Sequence, residues 1–210
     1  MPLKIIYPPR PKGKILPSQL DVLEAKKQFV IQRKFNGQRN LTHRSPEGEI
    51  TIWSRYGRKH ARYKTPGFLQ RELAALNYED GKEYWLDGEL LDSKVADGPK
   101  DTVVLYDVLQ AGNYLFGQKL LDRLSLLNTI CRSPTEYPPL PLALRVSDHV
   151  WLAETWLGDF TRHFEEYLHL ALIEGLVLKE IASGLDSFGH HEYACSWQWR
   201  CRKPGPSYPH

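Results

Sequence analysis

No stretch of this 210-residue sequence approaches 18 consecutive apolar residues, so no segment is long enough to cross a bilayer as a helix. The opening Met1-Pro-Leu-Lys lacks the apolar core and cleavage site of a secretory signal. Cysteine is scarce: Cys131, Cys195 and Cys201 are too few and too scattered for a disulfide framework, and a reducing cytosol is the expected compartment. Cys195 and Cys201 lie near His190 and His191, but the spacing matches no common zinc-ligand pattern, and the thiols read as bystanders. Internal repeats and low-complexity tracts are missing too, which excludes solenoids and disordered arrays.

What remains is an ordinary soluble composition, 41% hydrophobic and 25% charged, at a length that fits one domain. A globule of this size buries roughly 70% of its unfolded surface, enough for a core without staples. The net charge of +3 conceals an asymmetry. Residues 1–64 hold 15 Lys/Arg against 4 Asp/Glu, a net +11, whereas residues 65–210 hold 13 against 21, a net −8. A basic first third attracts polyanions, and nucleic acid or nucleotide phosphate is the natural partner; a lysine-rich solvated surface is the plainer alternative.

Residues 1–19 read as a proline-rich basic arm, 20–204 as one domain and 205–210 as a tail. Strand-like runs cover 28–33, 49–54, 84–91, 102–109, 176–181 and 197–202, with Pro46-Glu-Gly48 as a turn. Helices are expected over 21–27, 67–77, 117–130 (apolar face Leu120, Leu121, Leu124, Leu126, Leu127) and 153–172, while 135–144 reads as a loop into an edge strand. Helices and antiparallel strands interleave irregularly, which predicts an α+β layer architecture.

Several polar groups interrupt this pattern, and each alone has a plain explanation. Lys34, before Gly37, reads as a surface lysine in a turn. Asp87-Gly88-Glu89 breaks an apolar strand, as a bulge or as a point of close approach. Glu174 and Lys179 bracket Leu-Val-Leu, and Arg200 and Arg202 share one strand face. Together they assemble what phosphoryl chemistry requires: a nucleophile, cations for phosphate oxygens, and carboxylates for a metal and sugar hydroxyls.

These residues resemble the covalent nucleotidyltransferases: ATP-dependent DNA ligases, RNA ligases and mRNA capping enzymes. Lys34-Phe-Asn-Gly37 with Arg39 is similar to the nucleotide-binding lysine motif, and Ser54-Arg55-Tyr56-Gly57 to the arginine-bearing turn after it. Asp87-Gly88-Glu89-Leu90, Leu105-Tyr106-Asp107, Glu174-Gly175-Leu-Val-Leu-Lys179 and Trp199-Arg200-Cys201-Arg202-Lys203-Pro204 follow in the family's order.

The resemblance implies a ligase-type adenylation domain in which Lys34 attacks the α-phosphate of ATP and carries AMP. A free lysine is neutral in only about one molecule in a thousand at neutral pH, so nearby cations (Arg33, Arg39, Lys179, Mg²⁺ or Mn²⁺) and burial are expected to assist. Glu89 would bind the ribose, Tyr106 would stack on adenine, and Gln32 or its backbone would read the base edge. Glu174, with Glu89 as a second carboxylate, would hold the metal. Lys179, Arg200 and Arg202 would grip the α-phosphate, and Arg39 and Arg55 would meet phosphates of ATP or of a nick. Nicked duplex nucleic acid is the implied partner of a monomeric enzyme, with Arg10, Lys12 and Lys14 on its backbone.

Three features depart from the family pattern. Asn36 stands where aspartate is usual. The fifth motif offers arginines where lysines are usual, with Lys203 as an alternative register. The family's oligonucleotide-binding barrel has no counterpart in this sequence, which suggests a compact ligase of viral type. A catalytically impaired nucleic-acid-binding relic and a GTP-dependent guanylyltransferase are the alternatives. The choice between DNA and RNA is not encoded in any motif.

Overall fold

The computed structural model describes residues 6–59, 63–92, 94–132, 142–185 and 194–204, and two sheets dominate it. In chain order the elements are β1 (Arg10–Ile15), a 3-10 turn (Pro17–Gln19), α1 (Leu20–Ala25), β2 (Phe29–Phe35), β3 (Gln38–Arg44), β4 (Ile50–Ser54) and α2 (Gly67–Ala74). Then come β5 (Tyr84–Leu91), β6 (Thr102–Ala111), β7 (Asn113–Tyr114), α3 (Leu120–Cys131), β8 (Leu144–Arg145) and β9 (Val150–Leu152). The last are β10 (Thr155–Trp156), α4 (Phe160–Glu165), β11 (Ile173–Glu180) and β12 (Ala194–Arg202). One sheet has the order β1-β12-β11-β2-β10; the other runs β4-β3-β5-β6-β9-β8, with β7 on β6. Among the described strand pairs only β1 on β12 and β6 on β9 are parallel, so the fold is α+β, as the interleaved pattern predicts.

Side-chain alternation divides the first sheet into two faces. Phe29, Ile31, Leu176, Leu178 and Cys201 form one apolar cluster with Leu20, Phe160 and Phe164, beneath α1 and α4. The alternate positions Gln32, Lys34, Val177, Lys179, Gln198, Arg200 and Arg202 line a cleft. The second sheet packs its largest cluster against α2 and α3, through Leu41, Leu86, Leu90, Leu105, Leu69, Leu73 and Leu127. A third cluster, including Phe35, Ile173, Leu91, Val104 and Tyr106, draws on both sheets and joins them.

Three segments differ from the sequence expectation. Arg10–Ile15, within the stretch read as an arm, is a strand paired along β12. The helix expected over 153–172 is confined to Phe160–Glu165, because Trp156 pairs with Ile31 in β10 and Asp159 takes a left-handed conformation (φ 56°). The helix expected from 117 begins at Leu120, and its inner face is Leu120, Arg123, Leu124, Leu127 and Ile130, with Leu121 exposed. Most of 135–144 lies outside the described residues, as do His190 and His191; the three cysteines are buried and form no disulfide among the described residues.

Arg123 is the unexpected member of that helical face. Its guanidinium reaches both carboxylate oxygens of Asp107 at 3.0 Å, and it also donates to the Gln118 and Ser183 carbonyls. Both partners are almost wholly excluded from solvent, at 0% and 2% exposure. Removing one member of such a pair typically costs about 3–5 kcal/mol, because an uncompensated buried charge is left behind.

Candidate active site

The two central side chains of the cleft are aimed by irregularities in the ladders. Between β11 and β2, Ile173 pairs with Phe35 and Gly175 with Lys34, so Glu174 is the extra residue of a bulge. A bulge re-aims a side chain, and Glu174 Oε2 lies 2.6 Å from Lys34 Nζ and 3.4 Å from Arg202 Nη2. Gly175 itself has φ 135°, and a Cβ there would lie 2.0 Å from the Cys201 carbonyl oxygen, so only glycine fits. On the opposite sheet Asp87 pairs with Asp107 and Gly88 with Leu105, which leaves Tyr106 as the unpaired residue. Tyr106 also lines the cleft.

The cleft encloses about 700 Å³, and its described lining carries eleven Lys/Arg against two acids, Glu89 and Glu174. That balance suits a polyphosphate. Lys179 is 3% exposed, its Nζ has no hydrogen-bond partner among the described residues, and it lies 6.0 Å from the Tyr106 ring centre. Burial lowers its pKa, against the pull of Asp107 and Asp87. Gln32 is buried and donates to Thr155 Oγ1 (3.0 Å) and the Tyr106 carbonyl (3.3 Å).

Glu89 is a buried acid that accepts a hydrogen bond from the Gly37 amide at 3.2 Å. A Cβ on Gly37 would meet the Leu90 carbonyl oxygen at 2.5 Å, so this approach of two strands requires glycine. Burial pushes the Glu89 carboxyl up to about 7; Lys34, Arg39 and Lys94 pull it down, and Glu174 pushes it further up. A raised folded pKa means that stability is full below the unfolded value near 4.5 and falls as pH rises through about 7. Above that, the buried charge costs about 3 kcal/mol. Glu89→Gln, which retains an acceptor for Gly37, is therefore expected to exceed the parent in stability at pH 8 by up to that amount. The gain should vanish toward pH 4, and urea titrations at a series of pH values check it; a gain independent of pH contradicts the assignment.

Arg39 lines the cleft but is clamped to Asp87 through both carboxylate oxygens. Burial disfavours its charge, yet Asp87 more than compensates and its pKa is raised; burial in turn raises the pKa of Asp87. Arg55 sits at the rim, its guanidinium 4.6 Å from the Tyr56 ring centre. Arg10 borders the cleft as well, whereas Lys12 and Lys14 are exposed along β1 outside its lining.

Two of the candidate cations are engaged elsewhere. Arg33 borders the cleft, but its guanidinium lies between the rings of Trp156 (4.5 Å) and Tyr167 (4.2 Å), paired with Glu154 at 3.1 Å. Adjacent strand residues face opposite sides, so Arg33 cannot share the face of Lys34. Lys203 donates to the Leu168 and Leu170 carbonyls and does not line the cleft, which leaves Arg200 and Arg202 as the fifth-motif cations there. Arg58, Lys59 and Lys94, which the sequence motifs do not single out, also line it.

The sequence matches no family model and no curated protein. Solved structures do match. The mycobacterial DNA ligase D complexed with ATP and MES gives a TM-score of 0.63 at 20% identity, over 94% of this chain and 60% of that one. The ligase domain of M. tuberculosis LigD gives 0.62 at 20%, over 92% and 58%. This chain has the nucleotidyltransferase fold of the ATP-dependent DNA ligases. The bacteriophage T7 ATP-dependent DNA ligase, in complex with ATP, shares that fold with a TM-score of 0.54 at 14% identity, over 90% of this chain and 67% of that one. This chain spans about three-fifths of the length of the first two ligases.

Proposed function

We propose that this chain is an ATP-dependent polynucleotide ligase in which Lys34 is the nucleophile. The observation that carries the reading is Lys34 Nζ against Glu174, in a cation-lined cleft that also holds the buried amine of Lys179, without a hydrogen-bond partner among the described residues. The neutral Lys34 amine attacks the α-phosphorus of ATP. A P–N bond forms, the bond from the α-phosphorus to the α,β-bridging oxygen breaks, and pyrophosphate leaves with the electron pair. Lys179, Arg200 and Arg202 hold the α-phosphate oxygens as charge builds on them. Tyr106 stacks on the base, Gln32 meets its edge, and Glu89 accepts from a ribose hydroxyl.

Among the described residues no three His, Cys, Asp or Glu side chains form a metal cage. Magnesium at nucleotide sites takes one or two carboxylates and completes its shell with water and phosphate oxygens, and Glu174 suits that role, with Glu89 as a second carboxylate in the cleft. A magnesium or manganese ion held there would supply positive charge to offset that of the phosphates. In the second step a 5′-phosphate oxygen attacks the bound AMP, the P–N bond breaks, and Lys34 leaves. In the third, a 3′-hydroxyl attacks the activated 5′-phosphorus and AMP departs. Arg10, Lys12, Lys14, Arg39 and Arg55 are the cations offered to the nicked duplex.

The test is sealing of a nicked duplex carrying a 5′-phosphate, with each combination of ribose and deoxyribose at the nick. Joined strands and released AMP are expected with ATP and not with GTP. A chain that takes up ATP and seals none of these substrates contradicts the ligase assignment, and uptake of GTP instead favours guanylyl transfer.

A further inference from the structure

Lys179 is surrounded by a buried charge arrangement that extends beyond the cleft. Asp87 and Asp107 lie directly opposite each other in the β5–β6 ladder. Each is clamped through both oxygens by one arginine, Asp87 by Arg39 from β3 and Asp107 by Arg123 from α3. Asp107 Oδ1 also accepts from the Val108 amide at 2.9 Å. Of the charges that favour protonation of Lys179, Asp107 is the strongest and Asp87 the next, and yet the amine bonds to neither. A buried ammonium near a buried carboxylate of unbalanced charge would pair with it, but here each carboxylate is already balanced by a bidentate arginine.

We propose that Arg123, although on α3 and not among the residues lining the cleft, is a positioning residue for Lys179. By neutralising the carboxylate of Asp107 it weakens the pull of an ion pair that would draw the Lys179 amine away from the incoming phosphate. This rests on the reading of Lys179 as a phosphate-gripping group. A purely structural Arg123 would do no more than anchor α3 to β6, and its loss would loosen the fold without acting on one amine.

The two roles separate in a double-variant comparison on the full chain. Arg123→Met leaves Asp107 open to Lys179, so covalent uptake of labelled ATP should slow by on the order of tenfold at saturating ATP. Adding Asp107→Asn removes the competing charge, and uptake should return to within about threefold of the parent. Arg123→Lys, which retains a cation on Asp107, should fall between the two. A near-parental rate in folded Arg123→Met overturns the proposal, as does a double variant no faster than the single one. Should Arg123→Met fail to fold, Arg123→Lys takes its place, and no gain on adding Asp107→Asn overturns the proposal equally. A parent that forms no adduct overturns the reading of the cleft itself, and the role of Arg123 with it.

Discussion

Lys179→Met is expected to slow formation of the Lys34–AMP adduct by about 100–1,000-fold, the loss typical of removing one preorganised group that stabilises transition-state charge. The amine is buried, has no hydrogen-bond partner among the described residues, and is held below the usual lysine pKa by burial. In the nucleotide-free protein that arrangement is unfavourable, since an unpaired buried donor costs about 1–3 kcal/mol and a charged one more. A phosphate oxygen supplies the missing acceptor and the missing charge together, in a site where water screens little. The same substitution should therefore leave stability equal or higher, a trade-off common at active sites. Single-turnover uptake of labelled ATP beside a urea titration measures both. A parental rate, or slow uptake explained by partial unfolding, contradicts this role.

The candidate residues are legible in the sequence by their combination: Glu89 breaks an apolar strand, Glu174 and Lys179 bracket Leu-Val-Leu, and Lys34, alone a surface lysine in a turn, gains meaning from the motifs that follow it in order. Their aim is not. Glu174 and Tyr106 owe their direction to single extra residues in two ladders, and no local pattern marks a bulge whose partner strand lies far along the chain. Arg33 shows the converse, since alternation alone forbids it the face of Lys34 and its aromatic partners, Trp156 and Tyr167, become visible only in three dimensions. Arg123 is hidden for another reason. A single arginine in a leucine-rich helix reads as surface, and only the buried Asp107 across from α3 gives it a place inside. The long helix expected before β11 fails because tertiary pairing of Trp156 with Ile31 and the left-handed Asp159 outweigh local propensity. β1 was unreadable as a strand because its parallel partner, β12, lies at the opposite end of the sequence.

These considerations make Lys34 the point on which the account rests. It is 21% exposed, and its amine is directed at Glu174 by a glycine-bearing bulge, in register with the cations of β12. Attack on the α-phosphorus requires this one nitrogen; Arg at this position would keep the charge and lose the nucleophile. The most direct measurement is to incubate the protein with ATP and magnesium, then determine the intact mass and map the modified peptide. The account predicts one AMP per chain, on the peptide containing Lys34, acid-labile as a phosphoramidate is, and lost completely in Lys34→Ala and Lys34→Arg. An adduct on another residue, or an adduct that persists in either variant, would contradict it, as would the absence of any adduct in the parent.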